Sequence, residues 1–302
     1  MTVGSPPASG GPVDGHAHIF RPTSVSARGT DELAPAERDA PVEDLLARMD
    51  DAGIAGAVLV PLDGSDDYVT EALERYPGRF AAVAVVTPAE LGTGGVDPVA
   101  ALRSRRDRWP FDALRTSWLG EPGRGIADSP FLPVLRALAA EQLPLWTYLP
   151  PAQLPLLEEL VRLLPELRVV LNHLGFCPHD MWVDEHRRPR FDDPFPKPLV
   201  SRLERLADAP GVHVLVSGQY ALSAEAPPYA DLFPVTRRLA SAYGAERLLW
   251  GSDHPWPSEV PGYRELPGLV RAALPELGAG DTARVLGGTA RALFPRLADP
   301  AA

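Results

Sequence analysis

The chain has 302 residues, 45% hydrophobic and 23% charged, the balance of a soluble globular protein with room for one large barrel or two small domains. A formal net charge of −11 with no basic run excludes nucleic acid or an anionic membrane as a main partner, while leaving room for a small anion held by a few inward-facing arginines. Cys177 stands alone, which excludes an intrachain disulfide framework and fits a reducing compartment.

Residues 1–12 have no charged start and no apolar core, so they read as a flexible lead-in and not as a signal peptide. No stretch approaches the roughly 20 apolar residues of a membrane helix. The expectation is a cytoplasmic protein with one domain over 13–297. Short apolar, β-branched runs follow at 13–19, 56–62, 79–86, 111–116, 143–149, 167–172, 212–217 and 247–251. Helical patterns separate them, at 41–52, 66–76, 98–106, 129–141, 151–164, 198–209 and 229–243. Apolar strands alternating with helices imply a parallel sheet covered by helices, and eight such units imply an α/β fold of the (β/α)8 TIM-barrel type. An open doubly wound sheet would place a phosphate-binding glycine pattern after its first strand, where histidines stand instead. One long connection, 176–197 after the sixth strand, carries Trp182, Phe191 and Phe195 among charges and prolines. Its length and its place at a strand's C-terminal end predict a lid over the barrel mouth.

The strand ends hold the chemistry-bearing residues. In Asp14-Gly15-His16-Ala17-His18 the two imidazoles are two residues apart, so an extended strand turns both the same way, roughly 6.5–7 Å apart. Asp253 follows the last apolar strand in Trp250-Gly251-Ser252-Asp253, and a closed barrel makes first and last strands neighbours. Taken alone, an HxH pair or a Gly-Ser-Asp turn is ordinary; their joint occurrence at strand ends is the signal. Strand four adds Arg115, strand five Tyr148 with Trp146 on the same face, strand six His173, and strand seven Ser217 to Tyr220. His254 and Trp256 are second choices for substrate contact. His179, His186 and His213 read as surface or structural.

Together with Tyr76-Pro77-Gly78-Arg79-Phe80, Asn172-His173-Leu174-Gly175 and Val216-Ser217-Gly218, these motifs resemble the amidohydrolase superfamily over roughly residues 12–295. The likeness is to its amidohydrolase-related (type 2) branch, which includes 2-pyrone-4,6-dicarboxylate lactonase and sugar lactonases. Metal-using members add a histidine at the end of strand five; here that strand reads Trp146-Thr147-Tyr148. The lactonase branch is similar in lacking that histidine. The resemblance therefore leaves two cofactor states open: one divalent metal, such as zinc, on His16, His18 and Asp253 with His173 in reserve, or none. Lactonases acting on dicarboxylates place an arginine just after the strand-seven Ser-Gly, where this chain has Gln219 and Tyr220. Losing a bidentate guanidinium leaves a site poorly suited to a dianion.

The expected activity is hydrolytic opening of a lactone, or a related ester or amide bond, in a small carboxylate-bearing ring. Asp253 would be the general base, His16, His18 and His173 would polarise the carbonyl, Arg115 would orient the substrate, and Tyr148 with Trp146 would line the ring wall. The alternatives are a metal-dependent decarboxylase of the same branch, or a barrel that binds without catalysing. Homo-oligomerisation is left open.

Overall fold

The computed structural model describes residues 10–64, 67–93, 95–185 and 188–297. Its main sheet has eight strands in the order β1-β2-β3-β4-β5-β6-β9-β10. They are β1 (Val13–Ala17), β2 (Gly56–Leu59), β3 (Phe80–Val85), β4 (Ala113–Thr116), β5 (Leu145–Thr147), β6 (Val169–Leu171), β9 (Val212–Val216) and β10 (Leu248–Trp250). Every ladder between neighbours is parallel. Helices fill the crossovers: α1 (Val42–Ala52), α2 (Asp67–Arg75), α3 (Pro98–Arg108), α4 (Leu132–Ala140), α5 (Leu154–Leu163), α6 (Lys197–Leu206), the short α7 (Gln219–Leu222) and α8 (Phe233–Tyr243). After β10 come α9 (Leu266–Ala273), α10 (Ala279–Ala283) and α11 (Thr289–Leu293). The eight-stranded α/β barrel expected from the sequence is the observed fold. No helix among the described residues is long and apolar enough to cross a membrane.

Alternation along the strands sorts side chains into two cores. Val58, Val60, Ala81, Val83, Val170, Leu215 and Leu249 form the inner cluster with Trp146, while Ala57, Leu59, Ala82, Leu114 and Val214 join the larger cluster under the helices. Leu293, Phe294 and Leu297 enter the inner cluster from the end of the chain. Leu297 lies against the start of β2 at Gly56, so this terminal segment plugs the barrel end opposite the strand C-termini.

The strands are shorter than their apolar runs. β5 pairs over three residues, yet Leu143 and Leu149 beside it are buried in the loops, so hydrophobicity outlasts the hydrogen-bonded ladder. The helical patterns read from the sequence omit α9, whose Pro267 and Gly268 mimic a loop; proline is tolerated in a helix's first turn because the N–H there has no partner. The long connection after β6 holds a two-stranded antiparallel hairpin, β7 (Trp182–Val183) with β8 (Pro189–Arg190).

The barrel closes between β1 and β10 through an irregular seam. Asp253 donates its backbone N–H to the His16 carbonyl at 2.8 Å, and His18 donates to the His254 carbonyl at 2.8 Å. The buried Asp14 carboxylate spans the same gap, accepting from the Ser252 N–H (2.7 Å), the His16 N–H (3.1 Å), the Ser252 hydroxyl (2.5 Å) and the Tyr263 hydroxyl (2.9 Å). The strands approach so closely that a Cβ on Gly15 would meet the Trp250 carbonyl oxygen at 2.6 Å, and one on Gly251 the His16 Cβ at 2.8 Å. Gly15→Ala should therefore lower unfolding free energy by about 1–3 kcal/mol, the usual cost of overpacking. Gly268→Ala in α9, where an added Cβ meets nothing within 4 Å, should be neutral or slightly stabilising. Urea denaturation of the two variants checks the contrast, and an unaffected Gly15→Ala would show that the seam can relax.

Candidate active site

A bulge in β1 aims both imidazoles inward. Asp14 pairs with Ala57 and Ala17 with Leu59, so three residues on β1 step past two on β2. The extra residue reverses the alternation: Val13 belongs to the inner core, while Ala17 joins the outer one, leaving His16 and His18 on the inner side. His18 Nδ1 lies 2.7 Å from the Val60 carbonyl oxygen. That contact assigns the proton to Nδ1 and leaves Nε2 facing the centre. His16 Nε2 and His18 Nε2 are 3.1 Å apart, and each is 3.4 Å from Asp253 Oδ1.

Two further side chains surround the carboxylate. His173, in the turn after β6, brings Nε2 to 3.7 Å from Asp253 Oδ2, and its Nδ1 is 2.7 Å from the Ser217 hydroxyl. The Tyr220 hydroxyl, on α7, donates to Asp253 Oδ2 at 2.9 Å. Asp253 and His173 both have positive φ, 62° and 45°, in a region that strains non-glycine residues. Arg115, near the end of β4, lies 5.0 Å from the centroid of the Tyr148 ring, and no hydrogen bond or ion pair among the described residues holds its guanidinium.

His18, Arg115, Tyr148, His173, Tyr220 and Asp253 open into one cavity of about 310 Å³ at the strand C-termini. Loop residues complete its wall: Leu33, Leu62 and Trp256, with Phe176, Met181, Pro189 and Phe191 from the long connection after β6. That connection thus covers the mouth, and Arg190 fastens it by donating to the carbonyls of Tyr220 (2.8 Å) and Ser223 (3.0 Å). A larger groove of about 770 Å³ lies on the hairpin's other side, lined by Asp184, Arg188, Asp192 and Lys197. None of the described imidazoles lines it.

Three other candidates lie away from the cavity surface, the first of them His16, fully buried beneath it. Trp146 is fully buried one layer deeper, stacked on His16 with ring centroids 5.8 Å apart. His254 is buried with Nδ1 2.7 Å from the Ser258 hydroxyl. His179 and His213 each lie against a backbone carbonyl two residues earlier, outside the site; His186 is outside the described residues. Tyr220 and Ser217 are the site residues given no role from sequence. Their only sequence signal is their position just after β9.

Burial acts against charge throughout the site. It holds the His173 imidazole down to about 4 and His254 to about 3, and it lowers His16 well below the ordinary imidazole range. For Asp253 burial pulls upward, but His173, His18 and His16 outweigh it and keep the carboxyl well below the usual carboxylate range. Burial raises Tyr148 to about 12 and Asp14 to about 6, the latter restrained by its four donors.

The donor atoms of His16, His18 and Asp253 form a group that could hold a metal ion. Their separations of 3.1, 3.4 and 3.4 Å are close to the edge, roughly 3.3 Å, of a tetrahedron with bonds of about 2.0–2.1 Å. The Val60 carbonyl supplies the outer contact that orients a ligating histidine, whereas buried His16 Nδ1 has no such partner. The donor set fits one divalent cation.

The depressed histidines make stability fall in mild acid. His173 and His254 stay neutral in the fold while the unfolded chain takes up protons below about pH 6.5, so stability is lost as pH falls through that value. Each withdraws about 2 kcal/mol by pH 5, and Asp14, which gains protons in the fold below about 6, returns about 1 kcal/mol. We expect a net loss of about 2–3 kcal/mol between pH 7 and pH 5 from these groups, measured by urea denaturation. A constant stability over that interval would contradict neutral buried imidazoles.

The amidohydrolase family profile matches residues 13–296. An L-fucono-1,5-lactonase from Burkholderia ambifaria is 27% identical over 297 residues, covering 92% of this chain and 93% of the relative. A 4-sulfomuconolactone hydrolase from Rhizobium radiobacter is 28% identical over 279 residues, covering 87% and 84%. Among solved structures, a Pseudomonas putida protein named as a candidate 2-pyrone-4,6-dicarboxylic acid hydrolase superposes with a TM-score of 0.71 at 26% identity, covering 95% of this chain and 98% of that one. The match spans the barrel and every strand end that carries an imidazole, Arg115 or Asp253, and the chain belongs to the amidohydrolase family.

Proposed function

We propose that this protein is a hydrolase that opens a lactone, or a closely related ester, in a small ring bearing a carboxylate. The observation that carries the reading is one carboxylate, Asp253, set among three imidazoles at the floor of a cavity that also holds the Arg115 guanidinium, unpaired among the described residues. Both lactone-named relatives support it.

Asp253 takes a proton from water, whose oxygen attacks the lactone carbonyl carbon. With Ser217 donating to its Nδ1, His173 presents Nε2–H toward the cavity, where it meets the oxyanion that forms. The ring C–O bond then breaks, and Asp253 returns the proton to the departing alkoxide, giving a hydroxy acid. Arg115 anchors the substrate carboxylate, and the Tyr148 ring beside it forms one wall for the lactone. Trp256 forms another wall, while Trp146 supports His16 from beneath. His16, His18 and Asp253 would hold a divalent metal such as Zn²⁺, which when bound supplies Lewis acidity at the carbonyl.

Proton release during ring opening gives the assay. Asp253→Asn should lower kcat by about 10²–10⁴-fold, the usual effect of losing a general base. Arg115→Ala should act mainly on KM. Near-normal kcat in Asp253→Asn, with turnover abolished in Arg115→Ala, would reassign the base to an imidazole.

Tyr220→Phe tests the support of the base. Removing a donor from a carboxylate favours its protonated form, so the acid limb of the kcat profile should move to higher pH. An unmoved limb would mean that this hydrogen bond does not act on the reacting group.

A further inference from the structure

The cavity has two unlike ends. Toward the barrel floor stand the imidazoles, Asp253 and Arg115, and Arg115 is the sole guanidinium or ammonium among the described residues that line it. Toward the mouth the wall is mostly hydrocarbon: Leu33, Leu62, Phe191, Leu222 and the Trp256 ring, whose indole N–H has no partner among the described residues. Asp31 is the charged residue at that end, and its Oδ1 already accepts from the Leu33 and Ala34 N–H groups at 2.9 and 2.7 Å. The nearby arginines of the hairpin are committed as well, Arg188 and Arg190 to the Asp184 carboxylate at 3.1 and 3.0 Å.

We propose that the substrate is a monoanion with a hydrocarbon arm: a lactone whose single carboxylate sits on Arg115 and whose apolar substituent lies along the mouth wall. The proposal rests on the hydrolase reading above and names its substrate class. A second carboxylate at the mouth would find no guanidinium or ammonium among the described lining residues there, since Arg38 beside Trp256 already donates to the Leu33 carbonyl, and an unpaired buried charge is costly. A polyhydroxylated ring would strip water from several hydroxyls against a wall that offers little beyond the Trp256 indole N–H, leaving most of them unsatisfied. An alkyl or aryl arm has the opposite balance, because it removes apolar surface from water on both sides of the contact. The volume, about 310 Å³, lies at the small end of ligand pockets and suits one ring with a short arm.

Calorimetric titration with carboxylates that cannot be hydrolysed separates this inference from the reaction. The series is 4-methyl-, 4-ethyl- and 4-propylcyclohexanecarboxylate, compared with cyclohexane-1,4-dicarboxylate and gluconate. We expect Kd to tighten about fourfold per added methylene, the equivalent of about 0.8 kcal/mol each. The dicarboxylate and gluconate should bind at least about 50-fold more weakly than the propyl compound. Arg115→Met should abolish binding of the series, and Arg115→Lys, which keeps the charge, should retain its dependence on chain length. Leu62→Arg should raise affinity for the dicarboxylate by about tenfold or more, through one new ion pair in a partly buried setting. A flat chain-length series, or equal or tighter binding of the dicarboxylate or gluconate, overturns the proposal. Assaying the matching alkyl-substituted carboxylactones tests the other claim. If the chain-length series holds and none of these lactones is opened, the hydrolase reading fails while the ligand class stands.

Discussion

The contact between β1 and β10 is the constraint on which the site depends. A regular ladder there would align two strands but would carry no particular side chain to the centre. Instead the backbone of Asp253 is tied to His16 and that of His18 to His254, so the hydrogen bonds that close the barrel also set the carboxylate against the imidazoles. Asp14 anchors both sides of the seam without touching the cavity. Gly15 and Gly251 leave no room for error in the approach. Barrel closure and the meeting of Asp253 with the imidazoles are therefore one structural event.

The electrostatics follow from that closeness. Burial drives His16 and His173 toward neutrality, whereas the Asp253 carboxyl is kept ionised by the groups around it. The site thus holds net negative charge on one side and, on the other, the Arg115 guanidinium, which has no ion-pair partner among the described residues. Opposite charges with a gap between them make a field across the cavity, and low local polarity strengthens it. The proposed substrate, with its anionic end on Arg115 and its carbonyl near the imidazoles, would lie along that field.

Much of this was legible in the sequence because it depends on period and position. Eight apolar runs between helical patterns led to the barrel, and residues at run ends led to His16, His18, Arg115, Tyr148, His173 and Asp253. Depth was harder to read. Alternation placed Trp146 and Tyr148 on one face correctly, but residues two apart on an inward-facing strand occupy different layers, so Trp146 became floor and Tyr148 wall. The bulge in β1 was invisible, since alternation from Val13 would have turned both histidines outward. Tyr220 escaped assignment because its partner is more than thirty residues away and its helix, α7, has only four residues. The apolar character of the mouth was also hidden, because it is composed of single residues from separate loops.

The plug formed by Leu293, Phe294 and Leu297 bears on how such a chain reaches its native state. The inner core beneath the histidines is incomplete until this last segment packs, and the seam joins residues more than 230 positions apart. Contacts of such separation raise the entropic cost of early ordering and slow folding. During synthesis, β1 emerges first and waits with its bulge and imidazoles unsupported until β10 and the plug follow. A partly formed sheet therefore exposes two unpaired edges and an open apolar interior for much of elongation, the condition in which parallel sheets aggregate most readily. The interlocking that makes the finished site rigid leaves the nascent chain most dependent on speed, dilution or chaperone shelter.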